Sequence, residues 1–188
     1  MKAVVLGAAA GGGYPQWNCS CEVCALAWRA DPRVRRATQS SVALTADGDS
    51  WVLLNASPDI GAQIAATPFL WPKDERHSPI AAVILTNADI DHVAGLLSLR
   101  EGHAFSLYAA EPVHRALADN PIFTALKGMT TTTAQLGKTQ SIAGLDIEFV
   151  AVPGKAPLYL EGDNPEIGVD SGARLIAIVA CAIALLIM

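Results

Sequence analysis

The chain has 188 residues, 52% of them hydrophobic and 16% charged, a balance that excludes a disordered polymer and suits one domain, 1–188, with a sizeable core. Lys and Arg total 13 against 18 Asp and Glu, giving a formal charge of -5, so no broad basic face awaits a phosphate backbone and no nucleic-acid partner is expected. The N-terminus lacks the longer apolar core and cleavage pattern of a secretion signal, so the sequence reads as cytoplasmic.

Residues 3–6 form a short β-branched run that predicts a first strand. Seven consecutive Gly and Ala residues follow, from Gly7 to Gly13. They look at first like a dinucleotide-binding loop, but the G-x-G-x-x-G spacing is absent, and Pro15 and cysteines follow instead of a helix. The glycines are better read as letting the backbone approach the floor of a site. Residues 14–36 hold Pro15, cysteines and four arginines with no clean period, which predicts an ordered but irregular excursion. Arg33, Arg35 and Arg36 read as a solvated face, with contact to a carboxylate-bearing substrate as the alternative. The four tryptophans, Trp17, Trp28, Trp51 and Trp71, are expected to pack.

Residues 40–45 and 51–55 are two strands around an Asp47-Gly48 turn, which predicts an antiparallel hairpin. Ser57-Pro58-Asp59 can cap a helix running to about Ala66, and Asp59 can instead support a metal site from behind its ligands or hold a neighbouring loop by hydrogen bonds. Residues 80–85 are a continuous apolar strand. The polar loop 86–92 leads from it into a helix predicted over 93–100, where Val93, Leu96, Leu97 and Arg100 have helical spacing. A strand at 105–108, a helix at 111–118 and a hairpin arm at 142–152, broken by Gly144, complete the pattern. Alternating elements of both kinds predict an α/β layer fold. Residues 175–188 are apolar and uncharged but shorter than the 17–25 residues a bilayer span requires. They read as a buried strand, an altered chain end or a membrane-associated tail.

Two motifs carry chemistry. Cys19, Cys21 and Cys24 crowd into one short loop, where disulfides would close strained rings and thiolates can converge on Zn²⁺. Buried free thiols or a redox pair are the alternatives. Spacing does not select a fourth ligand among His77, His103, His114 and Cys181. In the second motif, a strand delivers Asn87, Asp89, Asp91 and His92 into one loop, a set suited to a harder metal or to catalysis. The simpler reading has Asp91 capping the next helix with His92 packed beneath it.

Several strings together resemble one family: GAAAGGGYPQWNCSC at 7–21, TQSS at 38–41, LNASPDI at 54–60, DHVAGLLSLRE at 91–101 and VPGKAPLY at 152–159. The sequence resembles the PqqB family of pyrroloquinoline quinone (PQQ) biosynthesis proteins, within the metallo-β-lactamase-like superfamily, from its start through about residue 163. The resemblance implies an αββα sandwich with metal held at the sheet edge. Family members continue well past position 188, so it also implies a sandwich and a metal site that are incomplete at the C-terminal end, and a chain that is unstable or inactive alone. In the wider superfamily the corresponding loop reads H-x-H-x-D-H; here Asn87 and Asp89 stand at the first two His positions, while Asp91 and His92 match.

Losing two imidazoles disfavours a dinuclear zinc hydrolase, and a single Fe²⁺ suits the oxygen-rich set that remains. The resemblance implies an iron-dependent hydroxylase that uses O₂ on the tyrosine ring of a Glu-Tyr product of the PqqA peptide. Asp91 and His92 would then be ligands of the active metal, Asp89 a better third ligand than Asn87, and Cys19, Cys21 and Cys24 a separate structural Zn²⁺ site. Other PQQ biosynthesis proteins are the implied partners, and a membrane is not. A carrier taking PQQ or its precursor to the periplasm and a metal-dependent hydrolase are the rival functions.

Overall fold

The computed structural model describes residues 1–126, 128–153 and 169–175. The larger sheet has six strands in sequence order: β1 (Lys2–Gly7), β2 (Ser41–Thr45), β3 (Trp51–Leu54), β4 (Ile80–Ile84), β5 (Phe105–Ala109) and β6 (Met129–Thr133). The first three are antiparallel neighbours, and β3 through β6 run parallel. A hydrogen-bond network centred on Asp47 fixes the predicted β2–β3 hairpin. Asp47 accepts from the Thr45 hydroxyl and from the Asp49 and Ser50 N–H groups, while Gly48, at φ +92°, takes a conformation that suits glycine.

Residues alternate between two cores along these strands, as the two-residue period of a strand requires. Ala43, Leu53, Val83 and Leu107 face a helical layer, and Val42, Leu44, Val52, Leu54 and Ile84 face the second sheet. Burial on both sides explains why β4 reads as a continuous apolar run. The helical layer contributes Ile60 from α2 (Ile60–Ala65), Val93 from α3 (Ile90–Val93), and Val113, Ala116 and Leu117 from α4 (Glu111–Ala118).

The second sheet is β7 (Thr139–Ile142), β8 (Leu145–Pro153) and β9 (Val169–Leu175), all antiparallel. Ala143 and Gly144 both have positive φ and form its two-residue turn. Ile142, Leu145, Ile147 and Phe149 pack onto the large sheet. The described residues thus supply a helix layer and two stacked sheets of the expected sandwich. The apolar segment 176–188, Cys181 and most of the 152–159 string lie outside them. Among the described residues, no helix is long and apolar enough to cross a membrane.

Four expectations need correction. The irregular excursion contains α1 (Glu22–Trp28), whose buried face is only Cys24 and Ala27, too little to register as a period. The helix expected over 93–100 is one turn of α3 followed by a 3-10 segment, Ala94–Leu99, because Gly95 is pressed against the backbone of Ala56 and Ser57. Strand β6 was not anticipated: its threonine-rich sequence, MTTTT, has no apolar face. Of the tryptophans only Trp51 is buried, stacked on Phe69 at 4.4 Å, whereas Trp17 is 79% exposed and Trp28 and Trp71 are about half exposed.

Candidate metal centres

The cysteine loop is built before any ion is considered. The Tyr14 hydroxyl donates to the Val23 carbonyl, the Cys19 N–H to the Gln16 carbonyl, and the Trp28 indole N–H to the Cys19 carbonyl. Arg36 donates to the Ala27 and Trp28 carbonyls and Arg33 pairs with Asp31, so these two arginines serve the local frame. Cys19, Cys21 and Cys24 are free thiols whose sulfurs all lie within 4.8 Å of one another.

Tetrahedral zinc with bonds of about 2.3 Å sets its sulfurs roughly 3.8 Å apart, so only a small closure separates this arrangement from a ligand set. The Cys24 N–H foremost, with the other two cysteines, holds the Cys21 thiol below its ordinary range, the direction that favours a thiolate. At Cys24 the Gln16 N–H pulls the same way, but burial and the neighbouring thiols raise it overall. Among the described residues no fourth His, Cys, Asp or Glu joins the cluster. His77, His103 and His114 each engage a backbone group elsewhere.

The second centre stands at the end of β4. Asn55, at φ +59°, ends β3 and accepts through Oδ1 from both the N–H and the hydroxyl of Thr86, which fixes where the loop leaves the sheet. Backbone hydrogen bonds from Ala56 N–H to the His92 carbonyl (2.8 Å) and from Gly95 N–H to the Ala56 carbonyl (2.9 Å) then clamp α3. Asp89, not Asp91, occupies the N-cap position, and no side chain caps the helix. The capping alternative for Asp91 therefore fails.

His92 Nε2 faces Asp91 Oδ2 at 3.9 Å, a gap that two metal–ligand bonds of about 2.1 Å can bridge. Asn87 Oδ1 is turned inward to the Asp89 N–H (3.0 Å) and to His92 Nδ1 (2.5 Å). Asp89 lies within electrostatic reach of both neighbours. Its burial raises the carboxyl pKa, His92 opposes that rise and Asp91 adds to it. The Asp89 carboxylate does not close into a compact three-ligand cluster with Asp91 and His92 as the cysteines do among themselves.

The glycine loop meets this centre as its composition suggests, since a Cβ on Gly11 would sit 3.6 Å from the Asp91 carboxylate. Of the residues holding that loop, Asp59 takes the loop-holding role that the sequence offered as an alternative to capping, while Gln39 and Gln63 were not assigned one. Asp59 leaves its helix uncapped and accepts instead from the Gln39 N–H and side-chain amide, while Gln39 Oε1 accepts from the Gly12 N–H. Buried Gln63 joins Thr38, Gln39 and Ser57 from below. Long-range side-chain bonds of this kind have no local periodicity, and the TQSS string and Ser57-Pro58-Asp59 were their traces in the sequence.

Two stacked sheets with a helical layer, and polar loops gathered where parallel strands end, make a layered α/β sandwich, and residues 50–175 match the Beta-lactamase superfamily domain. The chain belongs to that superfamily. Within it the chain is similar to coenzyme PQQ synthesis protein B: 48% identical to that of Methylorubrum populi over 97% of this chain, and 48% identical to that of Rhizobium meliloti over 90%. It spans about two thirds of the first relative's length (66%) and 57% of the second's.

The crystal structure of Zn²⁺-bound PqqB from Methylobacterium extorquens superposes with a TM-score of 0.87 at 47% identity, covering 94% of this chain and 62% of that one. A diphosphatase of the PhnP family shares the fold at a TM-score of 0.70 and 24% identity, covering 92% of this chain and 61% of that one.

Proposed function

We propose that the chain acts in PQQ biosynthesis as a metal-dependent oxygenase, hydroxylating the tyrosine ring of a Glu-Tyr intermediate. The 48% identity to coenzyme PQQ synthesis protein B over 97% of the chain supports this reading most. Asp91 and His92 Nε2 would hold Fe²⁺, and Cys19, Cys21 and Cys24 a structural Zn²⁺; the zinc-bound relative supports metal binding of this kind.

Fe²⁺ with open coordination positions supplies O₂ chemistry that no side chain can. The chain's own residues do the positioning. The Ala56–His92 and Gly95–Ala56 hydrogen bonds fix the main chain that carries His92 on a packed sheet edge. The Gly11 backbone, lacking a Cβ, leaves room beside the Asp91 carboxylate for a ligand. A half-buried Asp89 beside them adds negative charge when ionised, which favours a cation.

One oxygen atom would enter the ring and the other leave as water, so the test is O₂ uptake by the Fe²⁺-loaded chain with Glu-Tyr and a two-electron reductant such as ascorbate, read alongside ring hydroxylation by mass spectrometry. The proposal expects both, and expects both to vanish in Asp91→Ala. Hydrolysis of phosphate esters or thioesters without O₂, or tight PQQ binding with Glu-Tyr unconsumed, would replace it with the hydrolase or carrier reading.

A further inference from the structure

Asn87 Oδ1 faces two partners, and their chemistry fixes the state of the imidazole. The Asp89 backbone N–H can only donate, so the Asn87 atom 3.0 Å from it is the carbonyl oxygen and not the amide nitrogen. That same oxygen lies 2.5 Å from His92 Nδ1. An amide oxygen has no proton to give, so Nδ1 must carry one. In the neutral ring Nε2 is then left with a free lone pair, and Nε2 is the atom that faces Asp91 Oδ2 at 3.9 Å.

We propose that Asn87 is a positioning residue: it holds His92 in the Nδ1–H tautomer, so that Nε2 and the Asp91 carboxylate together present a metal-binding pair. Asn87 thus acts through His92 and does not itself ligate. This assignment rests on the proposed reading of Asp91 and His92 as metal ligands, but the tautomer is set in the metal-free chain and can be observed there. The orientation has independent support. Asn87 is held by the turn to Asp89, and the His92 main chain is held by the hydrogen bond from the Ala56 N–H to the His92 carbonyl, so the two residues meet without a metal. A hydrogen-bonding partner on the other ring nitrogen is the usual means of orienting a metal-binding histidine.

The experiment is ¹⁵N NMR of the histidine rings in the metal-free, full-length chain above the imidazole pKa, with His92 assigned by its loss in His92→Gln. The wild type should show Nδ1 protonated and Nε2 bare. Asn87→Ala should shift the ring toward the Nε2–H form, and Asn87→Asp, which keeps an acceptor oxygen, should restore Nδ1–H. Anaerobic titration with Fe²⁺ alone should then show an affinity loss on the order of 10- to 100-fold in Asn87→Ala, recovered in Asn87→Asp.

A protonated Nε2 in the wild type would overturn the assignment, as would a tautomer unmoved by Asn87→Ala. The wild-type spectrum decides the first point even if the alanine variant does not fold. If the tautomer responds to Asn87 as stated but no variant or wild type binds Fe²⁺, the oxygenase reading fails while the Asn87–His92 relationship stands.

Discussion

Replacing Gly95 by Ala adds a single methyl group and should cost more than its size suggests. A Cβ there would lie 2.0 Å from the Ser57 carbonyl oxygen, 2.6 Å from the Ala56 oxygen and 2.7 Å from the Ala56 carbonyl carbon. All three are backbone atoms, so no rotamer change relieves the collision. The 94–99 turn must withdraw by about 1 Å, in the range where overpacking costs roughly 1–3 kcal/mol. Withdrawal stretches the Gly95–Ala56 and Ala56–His92 hydrogen bonds, each worth about 0.5–1.5 kcal/mol.

Alanine's better helix propensity returns at most about 1 kcal/mol. The net loss is therefore about 2–4 kcal/mol, against a typical total stability of roughly 5–15 kcal/mol. At about 2–4 °C per kcal/mol for a chain of this size, Tm should fall by roughly 10 °C. Thermal and urea unfolding followed by circular dichroism would measure it. Because the turn carries the clamp on His92, metal affinity at Asp91 and His92 should fall with stability. A variant as stable as the wild type, or more so, would show that the 56–57 and 94–99 segments are not locked as described, and the reasoning would fail.

Other consequences follow from the same contacts. Gln63→Leu removes the partner of the Thr38 hydroxyl, the Gln39 carbonyl and the Ser57 hydroxyl in a buried setting, and should cost about 2–4 kcal/mol in denaturant unfolding despite being more apolar. Phe149→Ala, at a fully buried position between the sheets, should cost about 3–5 kcal/mol, with amide exchange accelerating first across β7 and β8. For acid sensitivity, the Ser50 and Asp49 N–H groups hold the Asp47 carboxyl below its usual range. Its folded pKa is depressed, so its contribution is complete above the unfolded pKa and disappears as pH falls through the folded value. Stability measured against pH should therefore show wild type ahead of Asp47→Ala at neutral pH, with the gap narrowing through the acidic carboxylate range.

Much of the fold was readable because burial left a pattern. Strand β4 announced itself as an apolar run and the β2–β3 turn by Asp47-Gly48, and the helix expected at 111–118 is α4. Where the pattern vanished, so did the reading. Helix α1 buries only two residues, and β6 is held in the sheet by its backbone pairing with β5, which any side chain permits.

The chemistry was legible in kind and less so in arrangement. The three cysteines converge as their spacing suggested, and the Gly7–Gly13 segment does bring its backbone against a carboxylate. The division of labour within 87–92 was hidden, since only the hydrogen bonds of Asn87 separate a residue that would bind metal from one that orients another. Likewise Asp59 could be read as a helix cap or as a loop anchor, and only the long-range contact with Gln39 chooses between them.

The central claim is that two independent metal centres share this chain, and metal content tests it most directly. The chain would be purified anaerobically and analysed by elemental mass spectrometry beside Asp91→Ala and a variant carrying Ser at Cys19, Cys21 and Cys24. We predict zinc lost only from the triple variant and iron lost only from Asp91→Ala. Zinc retained without the three cysteines, or both metals lost together from either variant, would contradict the account.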